Sequence, residues 1–448
     1  MFNAGILVSA SAGNNGPGAS TVGHRGPWIM TVANQTHNRL NKNDVSVNGG
    51  PAGLQDMWGQ LGAENNFNGM DVNDEILWAG AIDAANFEGC NAWPGGNEFD
   101  GSIALISRGG CPFADKVTNA EAAGAVAVIV FNHLSDIPFS MGGIEAASIP
   151  SLMIGTGDGE ALRDHIIANP GTMVTMEAAS QYLFDDNLGS WANSGTSRGP
   201  NNFDVTKPDL GGPGTNIFAA YADNLGPPPQ YAFLTGTSMS SPHAAGAAAL
   251  VKAVHPDWSP AEIKSAMMMT SHSGLDEFGD PANPDIEGSG TIDLEKAALA
   301  GLIMDENFDN MLAANPATGG DPATLNLPSM RSGDCNGVCS WTRTVCSTLD
   351  VATNWTIITP SPGGWSMDVP GPNQIDLAPA GQLQATGFED DEGATSSCVS
   401  FTVEATVTDP ALVTANEWIF SQITLIDNTT GSPDLKMTVS IVPTGIDN

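Results

Sequence analysis

Positive charge is scarce in this 448-residue chain: 14 Lys and Arg stand against 50 Asp and Glu, a net charge of -36. So negative a surface repels phosphate backbones and anionic headgroups, which excludes nucleic acid and membrane as expected partners and favours solubility. Long apolar runs are missing too, and none approaches the roughly 20 residues needed to span a bilayer. The opening segment, Met1 to Val8, lacks the basic start and the apolar length of a signal peptide. Any secretion signal is expected to lie upstream. Cysteine is sparse but even in number: Cys90, Cys111, Cys335, Cys339, Cys346 and Cys398 lie in turn-rich, acidic surroundings. That pattern favours disulfides and an oxidising, extracellular compartment. The last four allow three pairings, which stay open, and their spacing does not suit a zinc site. Asp71-Val72-Asn73-Asp74-Glu75 alternates oxygen ligands but lacks the glycine of an EF-hand loop.

Against these absences one stretch stands out. Thr235-Gly236-Thr237-Ser238-Met239-Ser240-Ser241-Pro242-His243, followed by an Ala/Gly-rich run to Val251, reads as a turn delivering Ser238 to the head of a helix. Gly236 is expected to take tight turn angles, and Pro242 to lie near the helix start. The run behind them has no polar face, so the helix is expected to pack closely inside the protein. A hydroxyl at such a position feels the positive end of the helix dipole, beside N–H groups able to hold an oxyanion. A plain N-cap serine would share the local signature. The whole phrase Gly236 to His243, however, resembles the active-serine motif of the subtilisin-like serine proteases. By that resemblance Ser238 is the nucleophile, and His243 belongs to the packed helix and is not the general base.

Ile6 to Gly16 runs from an apolar segment into a Gly/Asn turn, as in a buried parallel strand with a functional loop at its C-terminal end. Asn14 alone reads as a turn residue. Beside Ser238, Ala12-Gly13-Asn14-Asn15-Gly16 resembles the family's oxyanion-hole segment, which implies that Asn14 donates to the tetrahedral oxyanion. Loss of such a donor in a subtilisin costs roughly 2.7 to 4 kcal/mol of barrier. The same resemblance makes Ser11, Ala12 and Gly13 one wall of the cleft for the residue before the scissile bond. His24 and His37 read as surface-loop histidines.

The resemblance defines five segments: a first catalytic part over residues 1–50, an insert over 51–182, a second catalytic part over 183–312, a linker over 313–326 and a C-terminal domain over 327–448. In the insert, strand, helix and strand alternate around Arg108-Gly109-Gly110-Cys111-Pro112-Phe113 and Val126 to Asn132, a small α/β unit. It resembles the protease-associated (PA) domain, and a Cys90–Cys111 disulfide is implied. In the second catalytic part, Ser259, Pro260 and Glu262 spell a capping box and helix start, and Met267-Met268-Met269 divide between core and surface of that helix. Alternating stretches such as Ser400 to Val407 and Lys436 to Val442 indicate an antiparallel β-sandwich, which resembles a fibronectin-III-like domain.

The fold expected is thus α/β: an incomplete subtilisin-like parallel sheet with helices on both faces, the inserted PA-like unit and the C-terminal sandwich. The activity implied is endopeptidase hydrolysis of protein or peptide substrates through an acyl-enzyme on Ser238. No cofactor is required, and calcium is allowed as a structural ion at no identified site. In subtilisins the chain order is Asp, His, Ser, so both partners of Ser238 would precede residue 1, and none of the seven histidines lies in the family's base motif. The chain alone is expected to lack peptidase turnover and to expose the strand at Ile6 to Val8, favouring aggregation. The alternative is a secreted, non-catalytic binding protein with a vestigial site. Oligomeric state is not legible.

Overall fold

The computed structural model describes residues 1–62, 67–144, 147–221, 230–380 and 396–445. Three strands, β1 (Val8–Ser11), β2 (Ile29–Gln35) and a later strand, Leu210–Pro213, form a parallel sheet with β2 in the centre. β2 is buried almost throughout, whereas every residue of β1 is half-buried, as befits an edge. Met30 and Val32 point from β2 into a core shared with Leu210, Ala244, Ala248 and Ile263. The helix Thr237–Val254 lies across all three strands on that face. Opposite, Thr31 and Gln35 meet Lys207 and the four-residue helix Pro284–Glu287. Helix cover is therefore unequal: this second face carries a short helix and loop backbone where the sequence reading placed a helical layer.

Between β2 and the third host strand the chain leaves to build a closed barrel. Its strands are β3 (Arg39–Val47), β4 (Met57–Leu61), β5 (Val72–Trp78), β6 (Ile103–Ser107), β7 (Ala127–Phe131), β8 (Ser151–Ile154) and β9 (Met173–Phe184). β5 to β8 pair in parallel, and β9 closes the ring antiparallel to both β5 and β3. Ile103, Leu105 and Ile129 fill the inside, while Ala104, Ile106 and Val128 face outward to a second core under the helix Phe113–Ala122. This two-sided apolar demand is why these strands read as continuous hydrophobic runs. Barrel pairing starts at Arg39, ahead of residue 51, and runs on to Phe184. The disulfide Cys90–Cys111 is formed.

The host resumes with β10 (Leu210–Pro213) and an antiparallel hairpin of β11 (Ile217–Tyr221) and β12 (Gln230–Leu234), which leads into the Ser238 helix. The next helix, Pro260–Met269, carries the capping box of Ser259 and Glu262. Its three methionines are all buried, which corrects the division between core and surface. Met267 and Met268 pack into the host core and Met269 into the C-terminal one, because the helix is sandwiched between the two.

Two sheets make up the C-terminal region. One contains β13 (Leu302–Ile303), β15 (Val338–Ser347), β19 (Cys398–Val407) and β17 (Trp365–Asp368), in that spatial order. The other contains β14 (Ser329–Asn336), β21 (Leu435–Thr444), β20 (Ile419–Asp427), β16 (Thr353–Ile358) and β18 (Gln374–Leu377). Trp341, Trp355, Trp365, Val403 and Ile423 join in one core. β14 and β21 pair in parallel, unlike the all-antiparallel arrangement expected. β14 opens the domain and β21 ends it, so the intervening strands supply the long crossover that a parallel pair needs. Cys335 pairs with Cys339 and Cys346 with Cys398. Arg331 joins the sandwich to the host, with an ion pair to Asp285 at 2.8 Å and its guanidinium 3.6 Å above the Trp418 ring.

Candidate active site

β1 ends at Ser11, but Ala12 keeps the ladder going by donating its N–H to the Val32 carbonyl at 2.9 Å. Ala12 is fully buried, and its carbonyl accepts from the Gly23 N–H at 2.8 Å. Gly13 then turns the chain at φ +108°, where a Cβ would come within 2.8 Å of Ser197 Oγ. The turn aims Asn14 at the start of the Ser238 helix. Asn14 Oδ1 accepts from both the N–H and the hydroxyl of Thr237, each at 3.0 Å. Thr237 Oγ1 in turn accepts from the Gly13 N–H at 3.2 Å. Two segments more than 200 residues apart are thereby locked together. With its oxygen fixed, the Asn14 amide keeps its Nδ2 hydrogens for another acceptor.

Ser238 is the second residue of the helix Thr237–Val254 and is exposed. Its N–H belongs to the first turn, whose N–H groups have no partner inside the helix. Gly236, expected to supply turn angles, instead lies in extended backbone at φ 161° and ψ 166°. Glycine matters there for room, because a Cβ would sit 3.3 Å from Asn14 Nδ2. Pro242 lies inside the helix, past its first turn, and removes the N–H that would bond the Ser238 carbonyl.

The expectation of a helix buried on all sides is corrected. Thr237, Ser240, Ala244, Ala248 and Val251 are buried, but Ala245, Ala249, Leu250 and Val254 form an exposed flank. Leu250 is 57% and Val254 59% exposed. Small side chains without polar atoms read alike whether the helix is covered on one side or on two. Ile6, ahead of the edge strand β1, is likewise 51% exposed.

Among the described residues no histidine bonds Ser238. His24 faces the Ser11 carbonyl at 2.7 Å, His243 the Met239 carbonyl at 2.8 Å and His255 the Ala298 carbonyl at 2.8 Å. His37 is half-buried between the Asn216 carbonyl and the Arg39 N–H, and burial lowers its pKa. It is less of a surface residue than its loop position suggested.

Ionic groups hold the sheet beneath the site. Asp209 bonds Lys207 at 2.5 Å and Lys264 at 2.7 Å, and also accepts the Thr31 N–H at 2.6 Å. Burial drives the Lys207 pKa down to about 7, against the opposing pull of Asp209. Farther along β2, Glu287 accepts from Gln35 Nε2 at 2.8 Å and from the Gly274 N–H at 3.0 Å. Its pKa rises to about 7, again mainly through burial. Neither group announced itself in the sequence.

The family described as PA domain matches residues 75–162, inside the barrel. Subtilisin-like protease SBT1.6 of Arabidopsis thaliana is 31% identical over 349 residues, covering 72% of this chain and 44% of that protein. Minor extracellular protease Vpr of Bacillus subtilis is 30% identical over 304 residues, covering 67% of this chain and 36% of its own length. The chain thus spans less than half of either relative. The solved subtilisin-like protease Apa1 from the Antarctic psychrotroph Pseudoalteromonas sp. AS-11 overlaps at a TM-score of 0.30 and 16% identity, covering 67% of this chain and 64% of that one, too loosely to carry weight. The chain is a homologue of the subtilisin-like proteases and carries a PA domain.

Proposed function

We propose that this chain is the serine-bearing part of a secreted serine endopeptidase, acting on protein or peptide substrates. The observation that supports it best is the bond of Asn14 to Thr237, which ties this amide to the residue just before Ser238. In this reading Ser238 Oγ attacks the scissile carbonyl after losing its proton to an imidazole supplied by another segment. Asn14 Nδ2 and the Ser238 N–H then hold the oxyanion, as preorganised donors do in acyl transfer. Ser11, Ala12 and Gly13 are read as one wall of the cleft for the residue before the scissile bond. The chemistry requires no cofactor, and calcium would serve only structurally. The three-stranded sheet is read as part of a larger subtilisin-like one, and the sandwich as fibronectin-III-like.

The open edge of β1 and the apolar flank of the Ser238 helix are both suited to receive the segment carrying the acid and base. The test is to express the chain together with its upstream coding sequence. The joined protein should cleave peptides and react with a fluorophosphonate at Ser238. Asn14→Ala should lower its kcat by about 10²-fold to 10³-fold, the usual cost of one oxyanion donor. A folded product that neither cleaves nor labels would refute the reading and favour a binding protein with a vestigial site.

A further inference from the structure

A second serine lies against a histidine in a cleft whose lining does not include Ser238. Ser190 Oγ and His272 Nε2 are 2.9 Å apart. Both line an open cleft of about 540 Å³ together with Asn187, Trp191 and Ser273. Ser190 has a positive φ of 65°, a conformation uncommon for a residue with a side chain. Such outliers persist only where neighbouring bonds impose them, and they gather at functional sites. Here the Ser190 N–H is bonded to the Thr36 carbonyl at 3.2 Å, and its carbonyl accepts from the Leu275 N–H at 3.0 Å. The His272 backbone is held as firmly, exchanging two hydrogen bonds with Thr291 at 3.0 and 2.7 Å. Both side chains thus project from fixed backbone, as a reactive pair requires.

We propose that Ser190 and His272 form a second nucleophile and base, independent of Ser238, that takes the acyl group from small activated carboxylic esters. Partial burial lowers the His272 pKa, as do Lys436 and Lys296, against the upward pull of Asp293. The ring is therefore neutral near pH 7, and Nε2 can receive a proton. Trp191, its indole N–H bonded to the Asn187 carbonyl at 2.8 Å, gives the cleft an apolar wall for an aryl group. Lys436 Nζ, 3.3 Å from Ser273 Oγ, brings positive charge to the same lining.

In the first step Ser190 Oγ attacks the acyl carbon and its proton passes to His272 Nε2. The bond between the acyl carbon and the aryl oxygen breaks, and the phenolate leaves with the electron pair. In the second step water attacks the acyl-serine, freeing the carboxylic acid and regenerating the Ser190 hydroxyl, with protons returned through His272 to solvent. An aryl ester suits this pair because its leaving group needs no protonation.

The test uses the full chain with Ser238→Ala, so that the helix-head hydroxyl contributes nothing, and p-nitrophenyl acetate as substrate. Nitrophenolate release and the acetylated residue, located by peptide mass mapping, are the readouts. The acetyl group should appear on Ser190. Adding Ser190→Gly, which tolerates the positive φ, or His272→Gln, which can hydrogen-bond but not act as a base, should lower release on the order of 10²-fold. Acetylation confined to other residues, or release unchanged by either substitution, would overturn the proposal.

Discussion

Replacing Glu287 with glutamine should stabilise the protein above neutral pH and leave it little changed in acid. Glu287 is 3% exposed, and its carboxylate holds the Gly274 N–H and Gln35 Nε2. Lys436 favours the charged form, yet burial outweighs it and raises the pKa from 4.5 to about 7. The folded state then binds the proton more tightly than the unfolded one. Its contribution to stability is complete below the unfolded value and is lost as pH rises through the folded value. Each pH unit between the two is worth about 1.4 kcal/mol, so wild type loses about 3 kcal/mol across that window. Glutamine carries no charge at any pH. Its carbonyl can keep the Gly274 N–H, and once the Gln35 amide turns over, its amide can reach Gln35 Oε1, a buried oxygen otherwise without a hydrogen-bond partner. Urea unfolding midpoints of both proteins, taken at several points between about pH 4 and about pH 8, give the difference directly. It should grow in favour of Glu287→Gln by about 3 kcal/mol as the pH rises. Parallel curves, or a variant less stable at the alkaline end, would show that Glu287 is charged in the fold and that its bonds repay the desolvation.

Asp209→Leu leaves Lys207 and Lys264 buried without their carboxylate, and should cost about 3 to 5 kcal/mol, measured by urea denaturation near neutral pH. Replacing Cys90 and Cys111 together by serine opens a loop with a sequence separation of 21 and should destabilise the PA domain by about 3 kcal/mol. Loss of hydrogen-exchange protection should be concentrated in β6 and the helix Phe113–Ala122, with the host sheet unaffected. Because β1 is an edge strand among the described residues, the chain should self-associate, as sedimentation would reveal.

Features written in local phrases were legible in the sequence. Gly236 to His243 specifies a helix with Ser238 at its head within eight residues, and Ser259 to Glu262 specifies a helix start within four. Asn14 could be paired with Ser238 only through resemblance, because no periodicity joins residues so far apart. What escaped depends on partners that local sequence does not name. The alternation of β3 predicts a half-buried strand but not whether it joins the host sheet or the barrel. The parallel pairing of β14 with β21 is a long-range choice of the same kind. Lys116, Lys207 and Lys264 are all buried, a placement lysine adopts only where carbonyls or a carboxylate await it. The Ser190 and His272 pair also stayed hidden, since 82 residues separate them and neither lies in a recognisable motif.

The barrel departs and returns through strands that run side by side, with Arg39 opposite Phe184 at the first rung. To the host, an excursion of well over a hundred residues therefore looks like a narrow two-stranded stalk. A module mounted in this way can be lengthened, reshaped or exchanged without moving the ends that the host sheet must hold, so its surface is free to diverge while Asn14 and Thr237 keep their registration.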